Sequence, residues 1–221
     1  MFAKAIIAIL PLLAAVRATP VDIEVRQDQV TQIQKIHPKS DDSLCLTSMG
    51  GAPLEGAAVQ LVKCFEPNHE FYGTQLWSGK PRGPPEQGFL EIMNRYEARL
   101  PENRGLCLSR SAPTSEETKN QNPERENGTG LKLVKCIEET NGESQMTEFD
   151  HVDERQIWKE DEGLEQVYSP TGPNGQTHLC LDLDEKSQHE DGAPYGFERK
   201  LQIWVCSDPA AANQAWTLTN A

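Results

Sequence analysis

The chain repeats one pattern three times, and this repeat strongly limits the folds it can adopt. Each copy has a Leu-Cys-Leu triplet, then an apolar segment ending in a second cysteine, then a Gln-x-Trp triplet. In chain order these features fall at Leu44, Cys64 and Gln75, at Leu106, Cys136 and Gln156, and at Leu179, Cys206 and Gln214. One such unit is too small to bury a hydrophobic face alone, so the three units are expected to share one core.

The matched segments have the length and pattern of β-strands. They are short, their residues alternate in character, and turn-rich stretches separate them. No long segment shows a helical period between capping residues. The sequence therefore predicts an all-β protein with a single domain over residues 30–221. Its repeats are predicted at about 30–80, 81–161 and 162–221.

The N-terminus has the pattern of a secretory signal peptide. Lys4 precedes an apolar run from Ala5 to Val16, and Ala18 fits the small-residue rule for cleavage. The run is too short to span a bilayer as a membrane anchor would. We therefore expect residues 1–18 to be removed, residues 19–29 to form a loose N-terminal arm, and the mature protein to be secreted.

Six cysteines, an even number in a chain predicted to be secreted, indicate a disulfide framework. Two cysteines fall at equivalent places in each unit, so the simplest pairing lies within units. Crossed pairing between units would break the repeat symmetry. The predicted disulfides are Cys45–Cys64, Cys107–Cys136 and Cys180–Cys206. In the chain-entropy model each contributes about 3–4 kcal/mol to stability.

The charge and the catalytic motifs argue against several classes of function. The formal net charge of −13 opposes binding to nucleic acid and to anionic membrane surfaces. The five histidines are scattered without metal-ligand spacing, and neither Gly-x-Ser-x-Gly nor His-Glu-x-x-His occurs. The cysteines are all used by the predicted framework. The sequence predicts no enzyme, no cofactor, no metal and no membrane insertion, and it leaves the oligomeric state open.

Strand alternation singles out the third unit. In the segment before the second cysteine, one face is apolar in all three units and is expected to be core, while the opposite face is expected to be partly wet. On that opposite face, the position two residues before the cysteine holds Val62, Val134 and Trp204. Two residues after the first cysteine the units hold Thr47, Ser109 and Asp182. Only the third unit combines an acid with an aromatic residue.

The third-unit pair suits a sugar. If Cys180 and Cys206 are bonded, their Cα atoms lie about 6 Å apart, which brings Asp182 and Trp204 together on one surface. A carboxylate accepts hydroxyl hydrogens in strong charge-assisted bonds, and an indole stacks on the apolar face of a sugar ring. The amides of Gln202 and Asn213 can add hydrogen bonds. The alternative is that the tryptophan only covers a local hydrophobic patch.

With these residues the chain resembles the ricin-type lectins, the Gln-x-Trp β-trefoils. The resemblance is carried by Cys-Leu-Asp-Leu at Cys180–Leu183, Gln-Ile-Trp-Val-Cys at Gln202–Cys206 and Asn-Gln-Ala-Trp at Asn213–Trp216. It implies a pseudo-threefold barrel capped by three hairpins. It implies structural glutamines and core tryptophans at Gln75, Trp77, Gln156, Trp158, Gln214 and Trp216. It also implies a site for galactose or N-acetylgalactosamine-type glycans made of Asp182, Gln202, Trp204 and Asn213.

The first two units depart from the sugar-binding pattern. The four equivalent positions hold Thr47, Gln60, Val62 and Thr74 in the first unit, and Ser109, Lys132, Val134 and Arg155 in the second. Only Gln60 is retained, so both sites are predicted to be degenerate. The alternative function is a secreted β-trefoil that serves as a protein-interaction or inhibitor scaffold without sugar binding.

Two long insertions bear on the predicted site. The stretch from Asp184 to Arg199 contains Tyr195 and Phe197, which could extend or block the third-unit site. The longest insertion, from Ser109 to Gly130, is polar and is predicted to be a mobile surface loop. It contains the sequon Asn127-Gly128-Thr129, which predicts N-glycosylation at Asn127 in a host that adds such glycans.

Overall fold

The computed structural model describes residues 33–82, 89–95, 105–111, 126–136, 154–161, 165–171 and 177–221. The predicted signal peptide and N-terminal arm lie outside these ranges. Within them the chain forms twelve strands: β1 (Gln34–Pro38), β2 (Leu44–Ser48), β3 (Ala58–Lys63), β4 (Trp77–Arg82), β5 (Phe89–Asn94), β6 (Leu106–Arg110), β7 (Leu131–Lys135), β8 (Lys159–Asp161), β9 (Gln166–Thr171), β10 (Thr177–Leu183), β11 (Leu201–Val205) and β12 (Trp216–Asn220).

The strands fall into three units of four: β1–β4, β5–β8 and β9–β12. In each unit the second and third strands form an antiparallel hairpin, called here the cap hairpin. The outer strands pair across unit boundaries, where β4 pairs with β5, β8 with β9, and β12 with β1. A 3-10 turn precedes the last strand of every unit, at Tyr72–Gln75, Glu154–Gln156 and Ala212–Gln214. The protein is therefore an all-β β-trefoil, and this sequence prediction is confirmed.

The three disulfides form within the units, as predicted. They join Cys45 to Cys64, Cys107 to Cys136 and Cys180 to Cys206, with Cα atoms 5.0, 4.9 and 5.0 Å apart. Each closes the open end of a cap hairpin. The hairpins share one register, because the first cysteine of each unit lies opposite Val62, Val134 or Trp204.

Each cap hairpin also receives a segment from the preceding unit, in cyclic order. The central apolar residue of the third strand, Leu61, Leu133 or Ile203, bonds through its backbone to that segment. The amide of Leu133 bonds to the carbonyl of Ala57, that of Ile203 to Thr129, and that of Leu61 to Arg199, at 2.9, 2.9 and 3.0 Å. The three contacts are equivalent, so the threefold repeat extends to the way the units join.

The core is built around three tryptophans, one from each unit: two begin the last strand of their unit, and the third lies just before β8. Trp77, Trp158 and Trp216 are buried. Their indole N–H groups donate to the carbonyl oxygens of Leu46, Leu108 and Leu181, each at 2.9 Å. Because a buried N–H without a partner is costly, these bonds let large aromatic rings fill the interior.

One cluster of potential metal ligands is structural. His37, Cys45 and Cys64 offer donor atoms within 4.8 Å of one another, but the two sulfurs are joined in a disulfide. The ring nitrogens of His37 lie 3.0 Å from the carbonyl of Leu44 and 2.8 Å from the hydroxyl of Thr219. No helix in the described ranges is long and apolar enough to cross a membrane.

We predict that Trp77→Phe destabilises the fold by about 2–4 kcal/mol. The change removes ring volume from the core and leaves the carbonyl of Leu46 without its donor. The exposed Trp204 serves as the control, because Trp204→Phe is expected to cost less than about 0.5 kcal/mol. Urea unfolding of both variants tests this, and equal losses would contradict the proposed role of the buried indole.

Candidate functional site

The candidate site lies on the outer face of the third cap hairpin. Asp182 on β10 lies directly opposite Gln202 on β11, and Cys180 lies opposite Trp204. Alternate residues of a strand share a face, so Asp182 and Trp204 are diagonal neighbours on one surface. Asn213 reaches the same place from the 3-10 turn before β12. The structure thus brings together the four residues that the sequence singles out.

The carboxylate of Asp182 is held by three side-chain amides. Its Oδ1 accepts a hydrogen bond from Gln202 Nε2 at 2.8 Å. Its Oδ2 accepts from Asn213 Nδ2 at 2.9 Å and from Gln214 Nε2 at 3.0 Å. The residue is only 1% exposed. The amides therefore fix the carboxylate in place and cover most of it.

The glutamines of the first and third closing triplets each link the two strands of their cap hairpin. Gln214 donates to Asp182 and to the carbonyl of Val205. Gln75 makes the equivalent bonds in the first unit, to the hydroxyl of Thr47 and to the carbonyl of Lys63, both at 3.0 Å. Gln156 is also buried. The position of Asp182 thus has a scaffold role in the first unit as well, where a hydroxyl replaces the acid.

Burial raises the pKa of the Asp182 carboxyl above its ordinary value. The hydrogen bonds from Gln202, Gln214 and Asn213 favour the ionised form and oppose this shift, and the charge of Glu185 adds to it. The desolvation effect is the largest of these. The site therefore holds a carboxylate that is more easily protonated than an exposed aspartate.

Trp204 provides the open, apolar part of the site. Its side chain is 43% exposed, in contrast with the other three tryptophans of the chain. The segment beside it comes from the second unit. A Cβ placed on Gly128 would lie 3.8 Å from both Trp204 Cζ3 and Gln202 Oε1. The site therefore has a flat indole surface bounded on one side by residues 126–130.

The prediction of a mobile loop is wrong for residues 126–130. The amide of Gly128 donates to the carbonyl of Ile203 at 2.9 Å, and Asn127 Oδ1 accepts from the amide of Val205 at 2.8 Å. Glu126 forms an ion pair with the buried Arg110. Polar composition indicated a loop, but it could not show that the end of the insertion is anchored on β11. Residues 112–125 lie outside the described ranges.

Sequence reasoning missed Gly128 as a wall of the site. Gly128 has φ +81°, and Gly56 has φ +87° at the equivalent place before β3. Glycine adopts this left-handed conformation without the steric cost that other residues have. The shared glycine, five residues before Leu61 and before Leu133, is the signal that could have identified this segment.

The equivalent positions of the first unit are closed. Thr47, Val62 and Thr74 are buried, although the strand pattern predicted that the face of Val62 would be partly wet. Gln60 Oε1 accepts a hydrogen bond from the amide of Leu201 at 2.7 Å. These contacts are all internal, so the structure gives the first unit no open sugar surface at these positions.

The sequence left open whether Tyr195 extends or blocks the third-unit site, and the structure places Tyr195 on the first unit instead. The Tyr195 hydroxyl donates to the carbonyl of Ser48 at 2.7 Å. Its ring packs against Phe65 and Phe71, with centroids 5.2 and 5.1 Å away. The backbone of Phe197 pairs with that of Glu190 in a turn of the same segment.

In the second unit the described positions also differ from those of the third. Ser109 is buried, and its hydroxyl donates to the carbonyl of Arg110 at 3.2 Å. Lys132 and Val134 are partly exposed, and Arg155 lies in the 3-10 turn before Trp158. This set has no carboxylate and no aromatic ring.

Comparison with solved structures agrees with the trefoil architecture. The designed threefold-symmetric protein ThreeFoil matches with a TM-score of 0.52 at 15% identity, over 86% of this chain and 99% of that chain. The mdaA-1 domain matches with a TM-score of 0.52 at 11% identity, over 86% and 90%. The C-half of the earthworm R-type lectin, solved in complex with GalNAc, has a TM-score of 0.48 at 11% identity, over 86% and 99%. At these identities the first two matches show the fold alone, and the third, with a TM-score below 0.5, supports no conclusion.

No protein-family model and no curated protein sequence matches the chain.

The raised pKa of Asp182 predicts how stability depends on pH. A carboxyl whose pKa is higher in the folded state stabilises the protein most below its unfolded pKa, about 3.9, and this contribution is lost as pH rises through the folded pKa. We therefore expect the free energy of unfolding of the wild type, relative to the non-titrating Asp182→Asn, to fall over that range. Urea unfolding of both proteins at a series of pH values measures it. A relative stability that rises with pH would contradict the raised pKa.

Proposed function

We propose that the protein is a secreted carbohydrate-binding protein, a lectin, with one galactose-type sugar site in the third unit. The site consists of Asp182, Gln202, Trp204 and Asn213, and the first two units do not bind sugar. The single observation that supports this most strongly is the exposed indole of Trp204 beside the amide-bound carboxylate of Asp182. The paired strands β10 and β11, linked by the Cys180–Cys206 disulfide, hold that arrangement in place.

The chemistry of the site fits a pyranose with adjacent hydroxyl groups. An ionised carboxylate has about four lone-pair positions, and three amide hydrogens already occupy positions on Asp182. A sugar hydroxyl can bond to the remaining position on Oδ1. It can also displace the amide of Gln202 or Asn213 from Asp182. The displaced amide then forms a hydrogen bond with the sugar. The C–H face of the ring stacks on Trp204.

The affinity of such a site is low. One exposed ring and a few hydrogen bonds on a shallow surface correspond to a dissociation constant of about 0.1–10 mM, or roughly −3 to −5 kcal/mol. A protein with one such site does not crosslink glycans unless it forms oligomers. The natural targets are therefore glycans on glycoproteins or glycolipids that are present at high density.

Two features bear on where the protein acts. Three disulfides within the described residues fit an oxidising compartment, and the N-terminal pattern predicts export. Both support an extracellular role for the lectin. Neither the site chemistry nor the fold calls for a cofactor.

One observation favours the scaffold alternative. Asp182 is only 1% exposed, so its three amide bonds can be read as structural, like the equivalent bond to Thr47. In that case Trp204, together with exposed apolar residues such as Leu54, which is 65% exposed, would contact a protein partner. Binding of a simple sugar distinguishes the two functions, because a scaffold has no reason to bind one.

We predict that Trp204→Val removes glycan binding while the fold stays intact. The variant introduces the side chain that the first two units carry at this position, and valine is well suited to a strand. Loss of the stacking surface is expected to weaken binding at least about tenfold, or about 1.4 kcal/mol. A glycan array at high protein density, with the wild type beside it, measures the change.

The control for this experiment is Leu54→Ala, which removes an exposed apolar side chain from the first unit and should leave sugar binding unchanged. Asp182→Ala is a second single variant, and it is also expected to abolish glycan binding. A folded wild type made without N-linked glycans that binds no galactose-type glycan would overturn the lectin proposal and favour the scaffold.

The same site predicts a pH dependence of binding. Only the ionised Asp182 accepts hydroxyl hydrogens with its full strength, so the glycan affinity is expected to be constant above the raised pKa of Asp182 and to fall as pH drops through it. The midpoint should lie above the ordinary value of about 3.9. Surface plasmon resonance on an immobilised galactose-type glycan over a pH series measures it. An affinity that increases on acidification would exclude an ionised acceptor.

A further inference from the structure

We propose that Asn127 carries an N-linked glycan whose first sugar lies on Trp204 and closes the third-unit site. The inference rests on the proposed function, since the surface that becomes covered is the lectin site. It adds a regulatory element, because the glycosylated protein is closed to other glycans and the unglycosylated protein is open.

The sequon is held directly beside the candidate site. Asn127 and Trp204 are distant in sequence, yet Asn127 Oδ1 accepts a hydrogen bond from the amide of Val205, the residue after Trp204, at 2.8 Å. The next residue, Gly128, lies against the indole, since a Cβ on it would be 3.8 Å from Trp204 Cζ3. The amide of Gly128 donates to the carbonyl of Ile203, and the carbonyl of Thr129 accepts from the amide of Ile203, which fixes this position.

The modification leaves these contacts intact. A bond forms between Asn127 Nδ2 and the anomeric carbon of N-acetylglucosamine from a lipid-linked oligosaccharide. The bond from that carbon to the lipid diphosphate breaks, the diphosphate leaves, and Nδ2 loses one proton. Oδ1 is unchanged and can still accept from Val205. Within the described residues Nδ2 makes no hydrogen bond, and it is not among the fully buried polar atoms without a partner. It is therefore at least partly open to solvent, as attachment of a sugar requires.

The attached sugar has a large advantage over free sugars. A group tethered by a short linker has an effective concentration in the millimolar range, which is comparable to the weak dissociation constant proposed for this site. The first pyranose is attached to the residue before Gly128, whose side-chain position faces the indole at 3.8 Å from Trp204 Cζ3. Its apolar face can therefore cover the exposed part of Trp204 for much of the time.

Thr129 adds an independent observation. Its hydroxyl is buried and has no hydrogen-bond partner in the described part of the chain. A buried hydroxyl without a partner destabilises a fold compared with a methyl group. The hydroxyl of Thr129 therefore does not stabilise the folded protein. The third position of a sequon, by contrast, requires a hydroxyl-bearing residue.

The experiment uses the full chain expressed in a secreting cell line that adds N-linked glycans. Thr129→Val removes the sequon while keeping the shape of the side chain and the contact between Asn127 and Val205. Thr129→Ser keeps the sequon and is the matched control. Intact-mass analysis gives the occupancy of Asn127, and acrylamide quenching of tryptophan fluorescence reports on Trp204, the one exposed tryptophan of the four.

The wild type and Thr129→Ser are expected to carry the glycan and to show weak quenching. Thr129→Val is expected to lack it, to show stronger quenching, and to bind galactose-type glycans about two- to tenfold better on the array. An unmodified Asn127 in the secreted wild type, or equal quenching in wild type and Thr129→Val, would overturn the proposal.

The quenching result is independent of lectin activity. If Thr129→Val shows stronger quenching but binds no glycan, the glycan cover stands and the proposed lectin function fails. If Thr129→Val binds glycans and its quenching equals that of the wild type, the lectin function stands and the glycan cover fails.

Discussion

The hydrogen bond from each buried tryptophan to the leucine carbonyl after the first cysteine ties every cap hairpin to the core. It repeats at the same length in all three units, although much of the intervening sequence has diverged. The bond satisfies the one polar group of a ring that the interior needs for its volume. With the disulfide at its open end, each hairpin is held at that end and at its centre, and its outer face is free to vary in sequence without loss of the fold.

That freedom explains how one unit can differ from the other two. In the first and third units the glutamine of the closing triplet donates to an acceptor on the second strand, and Thr47 and Asp182 supply it. An acid at this position therefore keeps the hydrogen bond from the glutamine. Burial of the acid raises the pKa of its carboxyl group. Beside the acid, the replacement of valine by Trp204 adds an exposed ring. The candidate site thus arises from two substitutions in a hairpin that the fold already holds in place.

Cyclic contact between units determines what surrounds each outer face. In each unit, the segment just before the third strand bonds to the third strand of the next unit in cyclic order. It bonds there to the central residue of the strand, which is Leu61, Leu133 or Ile203. In the first unit this brings the insertion around Tyr195 over the degenerate positions. In the third unit it brings the sequon next to Trp204. The same backbone contact therefore closes one face and, in our proposal, places a glycan beside the other.

The sequence by itself determined the all-β class, the three units, the disulfide pairs and the distinct third unit, because these depend on spacing and alternation that repeat along the chain. The strand pattern predicted that Asp182 and Trp204 share one surface, and the strand register places them as diagonal neighbours on it. The tertiary structure alone decided which insertion lies on which unit. It corrected the mobile-loop prediction for residues 126–130 and placed Tyr195 on the first unit, a point the sequence had left open. Such contacts join residues far apart in sequence, and no periodic pattern records them. Burial of the Asp182 carboxylate and the approach of Asn127 to Trp204 follow from the same long-range packing.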